Sequence, residues 1–339
     1  MNIESRLVRY SELKPCTNAF IDTRSPGSDK KENFTVIGPG VAENPNQHVH
    51  IGIAHGFNIG GARQPAGCLN SQHSHLTEEF FVVHSGKWDF ISGVDANDGR
   101  ISLASGDVIS IPMDIFRGFE CIEGLAEGPE QGLGYLHAVL GGDDPGSVLW
   151  APAVFEMAKN YGLILLEDGS LVDTALGEKV PAGKNTMAVT SQQQIDQHRV
   201  VNSEALESIV IRTKDFAWGK ESMLAQFEGV EEVSLVGGEC ANEKIASSKL
   251  GWPHGFVVRG LKFAAQAQIP SHKRFEEEVI FVHQGELTVE IDGDTIVLTK
   301  GDNFTTPINV TRNFKNTSND QCIVYITRGG NHPKAPVFL

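Results

Sequence analysis

Short runs of alternating apolar and polar residues dominate the chain, broken by glycine and proline at close intervals. FFVVHSGKWDFIS and VIFVHQGELTVEI are rich in β-branched and aromatic residues and each is interrupted by one Gly where a hairpin must turn. Asn97-Asp98-Gly99 and Asp292-Gly293-Asp294 carry tight-turn chemistry. GDVISIP and GDNFTTP each begin after a Gly-Asp turn and end at a Pro that stops the ladder. Many short antiparallel strands without a long helix predict an all-β protein of jelly-roll type.

The strand pattern occurs twice. His55-Gly56-Phe57 recurs as His254-Gly255-Phe256, and at the same offset His73 falls on His272, His75 on Arg274, Glu79 on Glu278, His84 on His283 and Gly86 on Gly285. The first copy then has a longer hairpin, GVDANDGR against IDGD. Beyond it Gly106-Asp107 matches Gly301-Asp302, Pro112 matches Pro307, Arg117 matches Arg312 and Phe119 matches Phe314. A fainter echo sets VRYSEL at 8–13 opposite IRTKDF at 211–216. The chain therefore reads as a tandem duplication, with an N-terminal domain over 1–146, a connector over 147–204 and a C-terminal domain over 205–339. In the connector, Ser147–Tyr161 has helical spacing and residues 190–199 suggest a second short helix. Its apolar stretches around Trp150, Phe155 and Leu163–Leu166 are expected to cover sheet edges or to form the contact of a homodimer or higher homo-oligomer.

Composition narrows the function. The 339 residues carry 43 Asp+Glu against 28 Lys+Arg, a net charge of −15, which repels phosphate backbones and anionic lipid and argues against nucleic acid or membrane as partner. The five cysteines are widely spaced, with no CxxC pair, as suits a reducing compartment. With no signal-peptide core and no run long enough to span a bilayer, the cytoplasm is the expected location.

The candidate chemistry lies in Gly67-x5-His73-x-His75-x3-Glu79-x6-Gly86. On an extended strand His73 and His75 point to one face, and a short turn brings Glu79 to the neighbouring strand. Two imidazoles and one carboxylate suit a divalent first-row metal with open positions, Fe(II) first, with Mn, Ni, Co or Zn as alternatives.

This pattern, followed by Gly106-x5-Pro112, resembles the two signature motifs of the cupin superfamily, and the duplication makes the chain look like a bicupin. The resemblance implies two tandem double-stranded β-helix domains. It leaves the reaction open, because cupins include dioxygenases, decarboxylases, isomerases, lyases and non-catalytic binding proteins. It also exposes two departures. The second motif ordinarily supplies a fourth ligand, a His, where this chain has Arg117. The second copy has Arg312 there and Arg274 in place of the middle His, keeping only His272 and Glu278.

An arginine cannot coordinate a metal. Arg117 either clamps a substrate carboxylate with its planar fork or neutralises Glu79, and both readings stay open. In the second copy, Glu278, Arg274 and Arg312 are expected to form a closed ion-pair cluster. His137, in the strand GYLHAVL, is a candidate third imidazole or general acid. His84 and His283 are an odd step from the glutamates and face away from the pocket. His55 and His254 recur in both copies and read as structural. Phe81, Val83, Phe90, Ile111 and Phe119 are expected to point inward, Phe119 toward a substrate.

The function expected from these residues is a mononuclear Fe(II) dioxygenase acting on a small anionic organic substrate with O2. The alternatives are a metal-dependent cupin lyase, decarboxylase or isomerase, or a non-catalytic small-molecule-binding bicupin.

Overall fold

The computed structural model describes residues 3–339. Each copy folds as a two-sheet jelly roll, the sheets facing each other rather than closing into one hydrogen-bonded cylinder. In the first, a seven-stranded sheet containing Glu79–Ser85, Leu133–Gly141 and Phe57–Pro65 faces a five-stranded sheet containing Leu69–Ser74 and Arg117–Glu123. In the second, a six-stranded sheet containing Glu278–Gln284, Cys322–Gly329 and Phe256–Phe263 faces a five-stranded sheet containing Gln268–Lys273 and Arg312–Lys315.

The registers repeat. His73 lies opposite Arg117 as His272 lies opposite Arg312, and Glu79 lies opposite Leu140 as Glu278 lies opposite Arg328. The hairpin glycines Gly86 and Gly285 have φ of 83° and 76°, and a Cβ on either would come within 2.6 Å of a backbone carbonyl, so only glycine turns the chain there.

Period-2 alternation serves two cores at once. Phe81 and Val83 point into the first jelly roll among Phe90, Ile109, Ile111 and Phe119, while Phe80 and Val82 point out. What lies outside is the second jelly roll. Phe80, Val82, Tyr135 and Val139 pack with Val258, Val279, Phe281 and Tyr325 in one core shared by the larger sheets. The repeated histidines are reciprocal clasps across this interface. His55 Nε2 lies 2.5 Å from Thr305 Oγ1, and His254 Nε2 lies 2.7 Å from Ser110 Oγ.

The copies also exchange a strand. Leu7–Val8 joins the second jelly roll beside Asn303–Thr306, and Val210–Ile211 joins the first beside Val108–Ile111. The Gly-Asp turns fix both. Asp302 accepts from the Tyr10 amide and Arg9, as Asp107 accepts from the Thr213 amide and Arg212. The sequence boundaries at 146 and 205 are thus crossed in space, since each copy's first strand completes the other's sheet.

The connector holds the helix Pro152–Asn160, with Pro152 in its first turn, then Gln192–Ile195 and Ser203–Ser208. Trp150, Leu163, Leu165 and Leu166 are buried within the chain, the first three packed with Phe20, Phe116 and Val148. Of the two expected uses for this apolar content, the structure shows the intramolecular one. Leu149–Trp150 pairs with the free edge of the strand that carries His73.

Candidate metal centre

Strand Leu69–Ser74 carries His73, and the turn that follows carries His75, bringing Glu79 onto the adjacent sheet. One ligand atom from each of the three lies within 4.8 Å of those of the other two, and all three residues are buried. His73 Nδ1 donates to the Ser71 carbonyl at 2.7 Å, which leaves the Nε2 lone pair free. His75 Nε2 is 3.6 Å from Glu79 Oε2, and His75 Nδ1 has no hydrogen-bond partner. Burial, reinforced by the Arg117 charge, holds both imidazoles well below the ordinary histidine pKa, so both are neutral at pH 7. Neutral imidazoles beside a carboxylate, with an orphaned polar atom among them, fit a divalent cation.

Arg117 approaches from strand Arg117–Glu123 and donates through Nη2 to Glu79 Oε2 at 2.6 Å. Burial pushes the Glu79 carboxyl up and the Arg117 guanidinium down, each opposed by the other's charge. Of the two sequence readings, the geometry shows the contact with Glu79. Arg117 Nε and Nη1 are buried without partners, but Arg117 is not among the residues lining the cavity that adjoins the histidines.

His137, a candidate ligand or general acid from the sequence, does not join the site. Ala138 and Leu140 face the cavity, so His137, on the opposite face of its strand, lies flat against Phe281 of the second jelly roll. Ring centroids are 4.0 Å apart at 11°, and burial lowers the pKa to about 3. Parity alone could not assign the face, because both faces of this sheet are buried.

The cavity, about 70 Å³, is bounded by His73, His75 and Glu79 at one end and mainly by apolar side chains elsewhere, among them Phe81, Phe119, Leu140 and Trp150. Phe119 stands where the sequence placed it. Asn33 and Asn70 are polar lining residues that sequence reasoning missed. Asn33 Nδ2 is buried and unpartnered. Asn70 Oδ1 accepts from Lys31 at 2.8 Å, and Lys31 is paired with Asp22, whose other oxygen accepts from the Ser71 amide at 3.1 Å. This buried ion pair fixes the ligand strand two residues before His73. No spacing rule would have found it, since the pair is made by a loop folding back on the sheet.

In the second jelly roll, His272 and Glu278 are both fully buried. Glu278 is ringed by Arg328 at 2.7 Å, Arg312 at 3.5 Å and Arg274 at 3.8 Å. Burial alone would raise its carboxyl pKa, but the three guanidinium groups hold it well below the carboxylate range. Arg274 and Arg312 meet Glu278 as expected and Arg328 joins them, but the cluster is not closed, since nitrogens of Arg274 and Arg328 are buried without partners.

Residues 261–327 match the family described as Cupin domain. The whole chain is similar in fold to two-domain cupin structures. Lactobacillus farciminis oxalate decarboxylase in its formate complex has 11% identity and a TM-score of 0.58, over 98% of this chain and 88% of that one. The chain has the two-domain fold of these enzymes over essentially its whole length. Bacillus subtilis oxalate decarboxylase gives the same picture. A deletion mutant of it has 12% identity and a TM-score of 0.55, over 100% of this chain and 80% of that one. A structure of that enzyme used to study its Mn(II) centres has 11% identity and a TM-score of 0.55 over the same shares. No curated protein matches the sequence. The family match falls in the second copy, where Arg274 stands at the position of His75, so it rests on framework residues rather than on a complete ligand set.

Proposed function

We propose that this protein is a metal-dependent enzyme of the lyase type, removing a carboxyl group from a small carboxylic acid in its N-terminal domain. The observation that carries this reading is the convergence of His73, His75 and Glu79 on a small, largely apolar cavity. These three would hold a divalent first-row metal. Bound there, such a metal supplies a Lewis acid for the substrate's carboxylate. The likeness to oxalate decarboxylases favours Mn(II) and the decarboxylase side of the sequence expectation. Water needs about 10–15 Å³ on the same measure, so the cavity admits roughly five or six non-hydrogen atoms. Arg117 holds one Glu79 oxygen and so orients the carboxylate. Asn33 Nδ2 is a free donor for a substrate oxygen, and Phe81, Phe119, Leu140 and Trp150 keep water away from the reacting end.

One observation favours a second reading, an Fe(II) dioxygenase. Two imidazoles and one carboxylate leave positions for both O2 and a chelating acid. A single experiment separates the two. Protein loaded with Mn(II) or Fe(II) is supplied with oxalate and other small acids, and CO2 release and O2 uptake are measured together. CO2 without stoichiometric O2 supports the lyase. Stoichiometric O2 uptake supports the dioxygenase, and no turnover of any small acid by either metal form would reject both.

A further inference from the structure

The second jelly roll contains a charged cluster that the proposed reaction does not use. Arg259, Arg274, Arg312, Arg328 and Glu278 are fully buried, and Glu232 and Glu243 are buried beside them with slight residual exposure. Four guanidinium groups against three carboxylates leave a formal excess of one positive charge among these buried residues. The carboxylates are largely engaged. Glu278 meets three of the arginines, and Glu243 accepts from Arg274 Nη1 at 2.5 Å. Glu232 accepts from the Ser222 hydroxyl and keeps one oxygen unpaired.

The donors are not satisfied. Arg259 spends Nη1 on the Ser234 hydroxyl and backbone carbonyls, while its Nε and Nη2 have no partner. Arg274 Nη2 and both Nη atoms of Arg328 are likewise buried and unpartnered. Leaving a buried charge uncompensated is among the costliest arrangements a fold can carry.

The register shows where these groups point. Arg259, Arg274 and Arg328 stand at the repeat positions of Gly60, His75 and Leu140, and those three line the cavity of the first jelly roll. The second copy has filled the corresponding space with guanidinium forks. Ser234 and Glu232 also line a separate surface cavity of about 230 Å³, which places solvent on the far side of Arg259's own hydrogen-bond partner.

We propose that the C-terminal jelly roll is an anion receptor, in which Arg259, Arg274 and Arg328 hold one small oxyanion, either a carboxylate or an inorganic oxyanion. Such a ligand supplies the missing negative charge and at least two acceptor oxygens, and guanidinium forks match it in pairs of parallel hydrogen bonds. Organic acid and inorganic ion share this chemistry, and the test distinguishes them.

Full-length protein is dialysed into chloride. Its Tm is then followed against formate, oxalate, phosphate and sulfate at constant ionic strength, and the anions released on denaturation are quantified by ion chromatography. At least one oxyanion should raise Tm saturably by several degrees, or be released at about one equivalent per chain if it is retained through dialysis. The effect should persist in Glu79→Gln, which alters only the first jelly roll. It should be lost in Arg328→Leu, which installs the residue the first copy has there, and weakened about tenfold or more in Arg259→Gln, which serves if the first variant fails to fold. A response to formate or oxalate assigns an organic acid, and one confined to phosphate or sulfate assigns an inorganic ion. Equal Tm in all salts with no anion released would overturn the proposal, as would a shift that survives both arginine substitutions.

Discussion

The two jelly rolls share a frame and a glutamate but solve opposite electrostatic problems. In the first, Glu79 faces one arginine and two neutral imidazoles, and the space above it is bounded by Gly60 and Leu140. In the second, Glu278 faces three arginines, and Arg259 and Arg328 occupy the positions of that glycine and leucine. Three changes, at the positions of Gly60, His75 and Leu140, convert a pocket that wants a cation into one with a cation to spare. The backbone registers are the same in both copies. The difference teaches that in this fold the strands fix where side chains meet, while the charge brought to the meeting point decides what can bind there.

The sharpest way to break this comparison is to count metal. One divalent ion per chain is expected, in the first jelly roll. His73→Ala or Glu79→Ala should lower the content measured by plasma emission to near zero, while His272→Ala should leave it unchanged. Two tightly held equivalents per chain would mean that the arginine-filled site still binds metal and would end the asymmetry.

The next largest effect concerns stability. Removing one partner of a buried ion pair costs about 3–5 kcal/mol, because the other charge is left unpaired. Glu278→Gln leaves three guanidinium groups facing a neutral amide and is expected at the top of that range in urea denaturation. Glu79→Gln strands only Arg117 and is expected at the bottom. A larger loss from Glu79→Gln would show that the second cluster is compensated by groups other than Glu278.

Much of this contrast was legible in the sequence, and what was not has physical causes. The His73, His75 and Glu79 set follows from spacing, since an HxH pair shares a face wherever the backbone is extended. The echo between VRYSEL and IRTKDF marked the two segments as equivalent, but their exchange was not legible, because nothing in one sequence says which sheet a short edge strand will join. His137 was misplaced because its sheet is buried on both faces, by its own core on one side and by Phe281 on the other. Arg259 and Arg328 lie outside the metal motif, and only the register showed them converging on Glu278 and its neighbours. Lys31, Asp22 and Asn33 reach the site from a loop and a strand whose approach no local pattern encodes.

A smaller effect tests Arg117 itself. Arg117→Lys keeps the charge but loses the planar fork that holds Glu79. Removing a partner that orients a metal ligand typically costs about 10- to 100-fold in metal affinity. That loss, read by competition with a chelator, is expected without a separate rise in KM once the metal is saturating. Arg312→Lys is the control from the other jelly roll and should leave metal affinity unchanged. A raised KM at full metal occupancy would instead make Arg117 a clamp for the substrate.

The smallest effect lies at the interface where the two jelly rolls meet, and it appears only on acidification. His137 stacked on Phe281 has its pKa lowered to about 3 by burial, against about 6.5 for an unfolded histidine. Between those values the unfolded chain binds a proton that the folded chain refuses, so unfolding takes up one proton and stability falls as pH falls. The slope from this residue alone is about 1.4 kcal/mol per pH unit across the window from about 6.5 down to about 3, and is absent above it. His137→Gln cannot titrate. Its unfolding free energy should therefore lose that share of the slope between pH 6 and 4, whatever constant cost the substitution carries at pH 7. Urea titrations at unit pH intervals measure the difference directly. Equal slopes in the two proteins would mean that His137 is protonated in the folded state and that the shared core is wetter than its burial implies.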